Sequence, residues 1–341
     1  MKKAILVLFP IVFLAQSCNI FSLGSPDTGS GSRGIFFSTD GGGTWTAGAT
    51  EGEGANLSGA TINSIFIESK ATQNLLAAAV GTGVFASDTN AQKWILLLPN
   101  FSAYATFINR ANDQEIFAAG AQNRLAAILK SEDRGVTWVQ TYSEPAGVAS
   151  VTALTQDPGS PKILYAGLTN GTVLRSLDGG KTWNSLTKFD DRVVKLFIPD
   201  GTKTLYALMA AKGLRRSEDG GSNWSEIKPA DRVQTYNGFH VDPRNSSKLF
   251  LATSSGLFAS SDRGSNWQKL PLPATPEINN VGAVVTNPQN SRQIFASIRT
   301  TVYKSEDDGK TWQISKLQTQ RTIATLVIDP TEPNRIVAGL K

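Results

Sequence analysis

The feature that most constrains this chain is an eight-residue box, Ser-x-Asp-x-Gly-x-Thr-Trp, that returns at a nearly fixed interval. Copies run Ser38–Trp45, Ser131–Trp138, Ser176–Trp183, Ser217–Trp224, Ser260–Trp267 and Ser305–Trp312, and a worn seventh runs Ser87–Trp94, with Thr89 for the Asp and Ala91 for the Gly. All seven tryptophans (Trp45, Trp94, Trp138, Trp183, Trp224, Trp267, Trp312) close a box, and successive ones lie 49, 44, 45, 41, 43 and 45 residues apart. A period of about 40–45 residues is the length of one propeller blade.

Each box residue has a structural task in a tight turn between strands. The carboxylates of Asp40, Asp133, Asp178, Asp219, Asp262 and Asp307 can accept backbone N–H groups a residue or two onward, and the glycine supplies a positive φ. The Trp opens the next strand with an apolar plate whose indole N–H can find a carbonyl. Seven equivalent positions around a ring cannot share one active site, so these aspartates are read as structural and not as catalytic or metal-binding.

One repeat reads in full from Val151. Val151–Asp157 alternates as a strand, Asp157-Pro158-Gly159-Ser160-Pro161 turns, Ile163–Gly167 is a second strand, Asn170-Gly171 turns into Val173–Arg175, and the box leads to a fourth strand at Trp183. The body opens at Gly34–Ser38, already a third strand, and finishes with Thr322–Asp329 and Ile336–Leu340, a first and a second strand with no third. The two incomplete ends complement each other. The expected fold is therefore all-β: a seven-bladed propeller over 34–341, its four-stranded antiparallel blades closed into a ring by pairing of the N- and C-terminal strands, which removes exposed edges.

Ahead of the body, residues 1–17 read as a signal peptide: Lys2 and Lys3, then an apolar run from Ala4 to Leu14, too short to span a membrane. Leu14-Ala15-Gln16-Ser17-Cys18 resembles a lipobox, which would make Cys18, the single cysteine, a lipidation site. A lone cysteine in an exported chain has no internal disulfide partner. Residues 18–33 then form a Gly/Ser-rich tether with a span of roughly 20 Å. The expected location is a bacterial cell envelope, on the extracytoplasmic side of a membrane.

The boxes resemble Asp-boxes, or bacterial neuraminidase repeats, over nearly the whole body. Relatives of that kind include sialidases, two-propeller xyloglucan-cleaving glycosidases, sortilin-type receptors and the photosystem II stability and assembly factor, which looks closest in size. The last resemblance implies a protein that binds a partner at a membrane surface. A sialidase would need an Arg-Ile-Pro segment, which does not occur here. Glycoside hydrolysis in general needs two facing carboxyl groups, and nothing marks any pair among Asp190, Asp191, Asp231 and Glu277.

Other chemistries find less support. His240 is the only histidine, so metal ligation or a nucleophile–His pair has no constellation, and a structural role on the first strand of its blade is expected. No Gly-rich phosphate loop precedes a helix, so no cofactor is implied. Without Lys2 and Lys3 the net charge is 31 − 28 = +3, which does not argue for nucleic acid. A binding surface remains. The face carrying the links between blades would display Arg192, Arg232 and Arg321, with Arg124, Lys212 and Arg299 in the turns between second and third strands and Tyr104, Tyr236 and Asn237 beside them. Arginines around one hollow favour carboxylates or an acidic protein segment. A protein partner is therefore expected, and a carbohydrate, bound or hydrolysed, is the alternative.

Overall fold

The computed structural model describes residues 34–51, 56–68, 70–144, 149–229, 233–274 and 279–341. The leader, Cys18 and the tether lie outside these residues. All regular structure in them is β-strand.

Seven sheets follow one another round a central channel. Blades 1 to 6 each run in sequence order, and their innermost strands are Thr61–Ile67, Ser102–Ile108, Val151–Gln156, Val193–Phe197, Tyr236–Asp242 and Val281–Asn287. Blade 7 is composite: Ile323–Ile328 and Ile336–Leu340 from the end of the chain, then Ile35–Ser38 and Thr46–Ala47 from its beginning. The registers Ile35↔Gly339 and Ser38↔Ile336 fasten the ring.

The second strands are the most apolar because both faces are covered by neighbouring blades. Their third position is Ala77, Ala118, Ala166, Ala207, Ala296 and Ala338, all with no exposed surface, and Leu251 in blade 5. A small residue there lets adjacent sheets approach closely. The buried apolar side chains form seven clusters, one in each wedge between neighbouring blades. The core is thus a ring of wedges around a hollow centre.

The boxes join third and fourth strands, as their turn chemistry predicts, with one correction. Asp178 Oδ1 accepts the N–H groups of Lys181 (3.0 Å) and Thr182 (2.9 Å), three and four residues onward, and Oδ2 accepts the Thr182 hydroxyl (2.6 Å). The longer reach follows from two consecutive left-handed residues after the Asp, Gly179 (φ 75°) and Gly180 (φ 80°). The pair recurs in every box, and Arg134, Arg263 and Asp308 take its first place without being glycine. The indole N–H meets a box carbonyl in Trp138 and Trp224 (3.0 and 2.9 Å), but a hydroxyl of the preceding blade in Trp45 and Trp183.

The worn box is a docking point for the chain's own beginning. A short strand, Ala49–Thr50, pairs parallel with Lys93–Pro99 and makes blade 1 five-stranded. Thr89 Oγ1 accepts the Lys93 N–H (2.9 Å) in place of the missing carboxylate. Trp94 is wholly buried, its Nε1 donating to the Ala91 carbonyl (3.0 Å). Gly48 lies against that indole, where a Cβ would stand 3.0 Å from Nε1.

Candidate functional site

Every innermost strand carries a β-bulge near its start, and all seven fall at the same place in the repeat. The bulged residues are Asn63, Tyr104, Thr152, Val194, Asn237, Gly282 and Ala324, and all line the mouth of the channel on the face carrying the links between blades. A bulge frees one residue from the ladder and turns it aside. Several then bond to the next blade: Asn63 Nδ2 donates to the Tyr104 carbonyl (2.7 Å), Thr152 Oγ1 to that of Val193 (2.5 Å) and Asn237 Nδ2 to that of Val281 (2.8 Å).

Immediately inside this ring the equivalent positions are Ser64, Ala105, Ala153, Gly238, Ala283 and Thr325, and in blade 4 Lys195. Six small residues leave room for one long one. Lys195 Nζ donates to the Phe239 carbonyl (2.8 Å). Its side chain is exposed to the water of the channel, with the blades around it. Desolvation by them pushes the ammonium down to about 8, because low dielectric penalises the charged form. Two residues further along lie Phe66, Phe107, Phe197, Val285 and Val327, with Thr155 and His240 at the other two positions, and Phe107 largely buried in the wedge behind.

The cavity measures about 540 Å³, and its charged lining side chains are Arg110, Arg192, Lys195 and Lys341, with no Asp or Glu side chain among the described lining residues. Arg192 and Lys341 stand toward the mouth, where the Thr322 and Lys341 backbones pair. Arg110, at the opposite end, is paired with Asp200 (2.7 Å). His240 sits on the wall of blade 5. Its Nε2 accepts the Thr286 N–H (3.1 Å) and bonds to Thr286 Oγ1 (2.8 Å), which leaves the proton on Nδ1. Burial, and then the charge of Lys195, push the imidazole down to about 3, so it is neutral at physiological pH.

The residues expected on this face are scattered by the fold. Arg192 is exposed and lines the channel, with Tyr104 and Asn237 near it. Arg321 reaches across the ring seam instead, donating to the carbonyl of Ala60 (2.5 Å) and more weakly to that of Gly59 (3.4 Å), and burial holds its guanidinium below its usual range. Tyr236 is a core side chain of the wedge between blades 4 and 5, only 4% exposed, and not a free ring on the face. Arg124 and Arg299 are exposed at turn positions with φ 68° and 53°, away from the channel lining. Arg232 lies outside the described residues, as do Asp231 and Glu277.

The remaining carboxylates serve the turns. Asp191 accepts the N–H groups of Arg192, Ala211 and Lys212, and Asp190 pairs with Lys212, which lowers its pKa. Among the described residues no group of His, Cys, Asp and Glu is arranged to hold a metal ion. Lys195 and Lys341 were missed in the sequence. Aligning the seven innermost strands would have revealed Lys195, the one long side chain in a column of small ones.

Comparison with known proteins agrees with this architecture. The BNR/Asp-box repeat profile matches residues 36–47, and that of sortilin (neurotensin receptor 3, Vps10) matches 212–313. No curated protein sequence matches significantly. Among solved structures, the GH74 xyloglucanase of Xanthomonas campestris superposes with TM-score 0.71 at 18% identity, over 82% of this chain and 51% of that one. YCF48 of Cyanidioschyzon merolae gives 0.65 at 13% identity, over 82% of this chain and 95% of that one. YCF48 bound to D1 peptide gives 0.62 at 15% identity, over 83% and 92%. The chain thus spans about half of the xyloglucanase and nearly all of the YCF48 structures.

Proposed function

The chain is a seven-bladed β-propeller of Asp-box repeats, and from that premise we propose that it is a non-enzymatic binding module. It holds an acidic or carboxylate-bearing segment of a protein partner over the channel mouth, at a membrane surface to which lipidated Cys18 tethers it. The observation that carries this reading is the channel lining, whose charged side chains are cationic throughout. Hydrolysis of a glycoside needs two carboxyl groups facing across the substrate, and no Asp or Glu side chain is among the described lining residues. The likeness to YCF48, which has been solved with a D1 peptide, supports a peptide segment as the ligand and assembly or stabilisation of a membrane complex as the role. The likeness to xyloglucanases is one of fold.

The test is affinity capture from native membranes with the full chain as bait, beside Arg192→Glu. Arg321 is left intact because it clamps the ring seam. The expected result is enrichment of one membrane-complex subunit, reduced at least tenfold by the charge reversal and weakened by salt, since the attraction is between exposed charges. Equal capture by both baits, or retention of envelope glycans alone, would reject the proposal.

A further inference from the structure

Lys195 supplies the bond from blade 4 to blade 5 that the apolar bulge residue Val194 cannot, and it does so with a charged group where Asn63, Thr152 and Asn237 use neutral ones. The six equivalent positions manage with small side chains, and the ring closes without a bond from them. An ammonium has three donors, and the Lys195 group uses one on the Phe239 carbonyl. Among the described residues no carboxylate pairs with it. Its remaining donors face the channel, where an anion can accept them. The small residues around it leave open space at the ammonium, and the collar of Phe66, Phe107, Phe197, Val285 and Val327 begins two residues away along the strands.

We propose that the channel binds a small monocarboxylate with an apolar tail, its carboxylate bonded to Lys195 Nζ and its tail lying within the phenylalanine and valine collar. This rests on the channel geometry and not on the proposed role of the face as a protein-binding surface. A cavity of about 540 Å³ is of the size that encloses small ligands, which typically occupy apolar pockets with a few placed polar groups. The charge that fixes orientation is the single lysine at the waist. Apolar contact with the collar adds affinity in proportion to tail length.

The experiment is calorimetric titration of the full chain with octanoate, dodecanoate and octan-1-ol, against Lys195→Met and Lys195→Arg. Octanoate is expected to bind the wild type saturably and dodecanoate more tightly. Lys195→Met should weaken both acids at least tenfold and leave octan-1-ol unchanged, while Lys195→Arg should retain them. Because only the ammonium form attracts the anion, affinity should hold up to about pH 8 and then fall toward tenfold per unit. The other titratable groups around the channel are Tyr104, Tyr236, Arg192, Lys341, neutral His240, and Arg110 with its partner Asp200. An acetylated tripeptide ending in leucine, as free acid and as amide, distinguishes the source of the carboxylate. Preference for the acid over both its amide and octanoate assigns a polypeptide end, and the reverse order assigns a free acid. Absence of saturable binding by any of the acids, equal affinity of wild type and Lys195→Met, or a flat pH profile would overturn the proposal. Thermal unfolding of both variants verifies that they remain folded.

Discussion

At the scale of the residue, the box works because one carboxylate serves a turn that passes through two left-handed residues in succession. The role of the Asp was readable from its spacing to Gly and Trp. The reach of its bonds was not, because Arg134, Arg263 and Asp308 do not announce a positive φ. Hydrogen bonds from backbone N–H groups and hydroxyls, and at Asp219 and Asp262 from the Asn223 and Asn266 amides, hold Asp40, Asp133, Asp178, Asp219, Asp262 and Asp307 each at about 2 instead of 3.8. A carboxyl group whose pKa is lower in the folded state contributes stability above its unfolded pKa and loses it as pH falls through the folded value. Unfolding temperature should therefore be steady above about pH 4 and fall toward pH 2. Asp178→Asn should melt below wild type at pH 7, and the gap should close toward pH 2. A gap that is the same at both pH values would mean that the carboxylate charge is irrelevant to the turn.

At the scale of the element, ring closure was legible because the two ends of the body lacked complementary halves of one blade. Two other features were not. The parallel strand Ala49–Thr50 is too short to show any periodicity. The bulges share a position but no letter, from Asn63 and Tyr104 to Gly282 and Ala324, since what recurs is a backbone shape. Glycine at the closing strand has a steric reason. A Cβ on Gly339 would stand 2.6 Å from Ile62 Cγ2 and 2.7 Å from Thr325 Cγ2, so Gly339→Val overfills the junction of blades 7 and 1. The expected cost is about 1–3 kcal/mol, measurable as a lower urea midpoint with an unchanged slope. An unchanged midpoint would show that the seam can yield.

At the scale of the whole molecule, hydrophobic stabilisation is divided among seven wedges, which leaves the centre available for a ligand. The repeat count revealed the hollow; it did not reveal the lining, because a column of small residues with one lysine appears only when the blades are superposed. The proposed attachment through lipidated Cys18 predicts that Cys18→Ser releases the body from the membrane fraction without changing its melting temperature, checked by fractionation and by the mass of the mature N-terminus. Retention of the variant in membranes would place the attachment elsewhere. The composite blade, finally, imposes an order in time. Ile35–Ser38 is made early and its partner Ile336–Leu340 long afterwards, about 15–60 s later at ordinary rates of synthesis. Until then the growing chain is an open arc with an unpaired strand at one end. A chain cut short by a damaged message, or by a protease acting during synthesis, never shuts. Circular closure thus makes the pairing of the first strand conditional on the last, and a copy lacking Ile336–Leu340 keeps an unpaired edge.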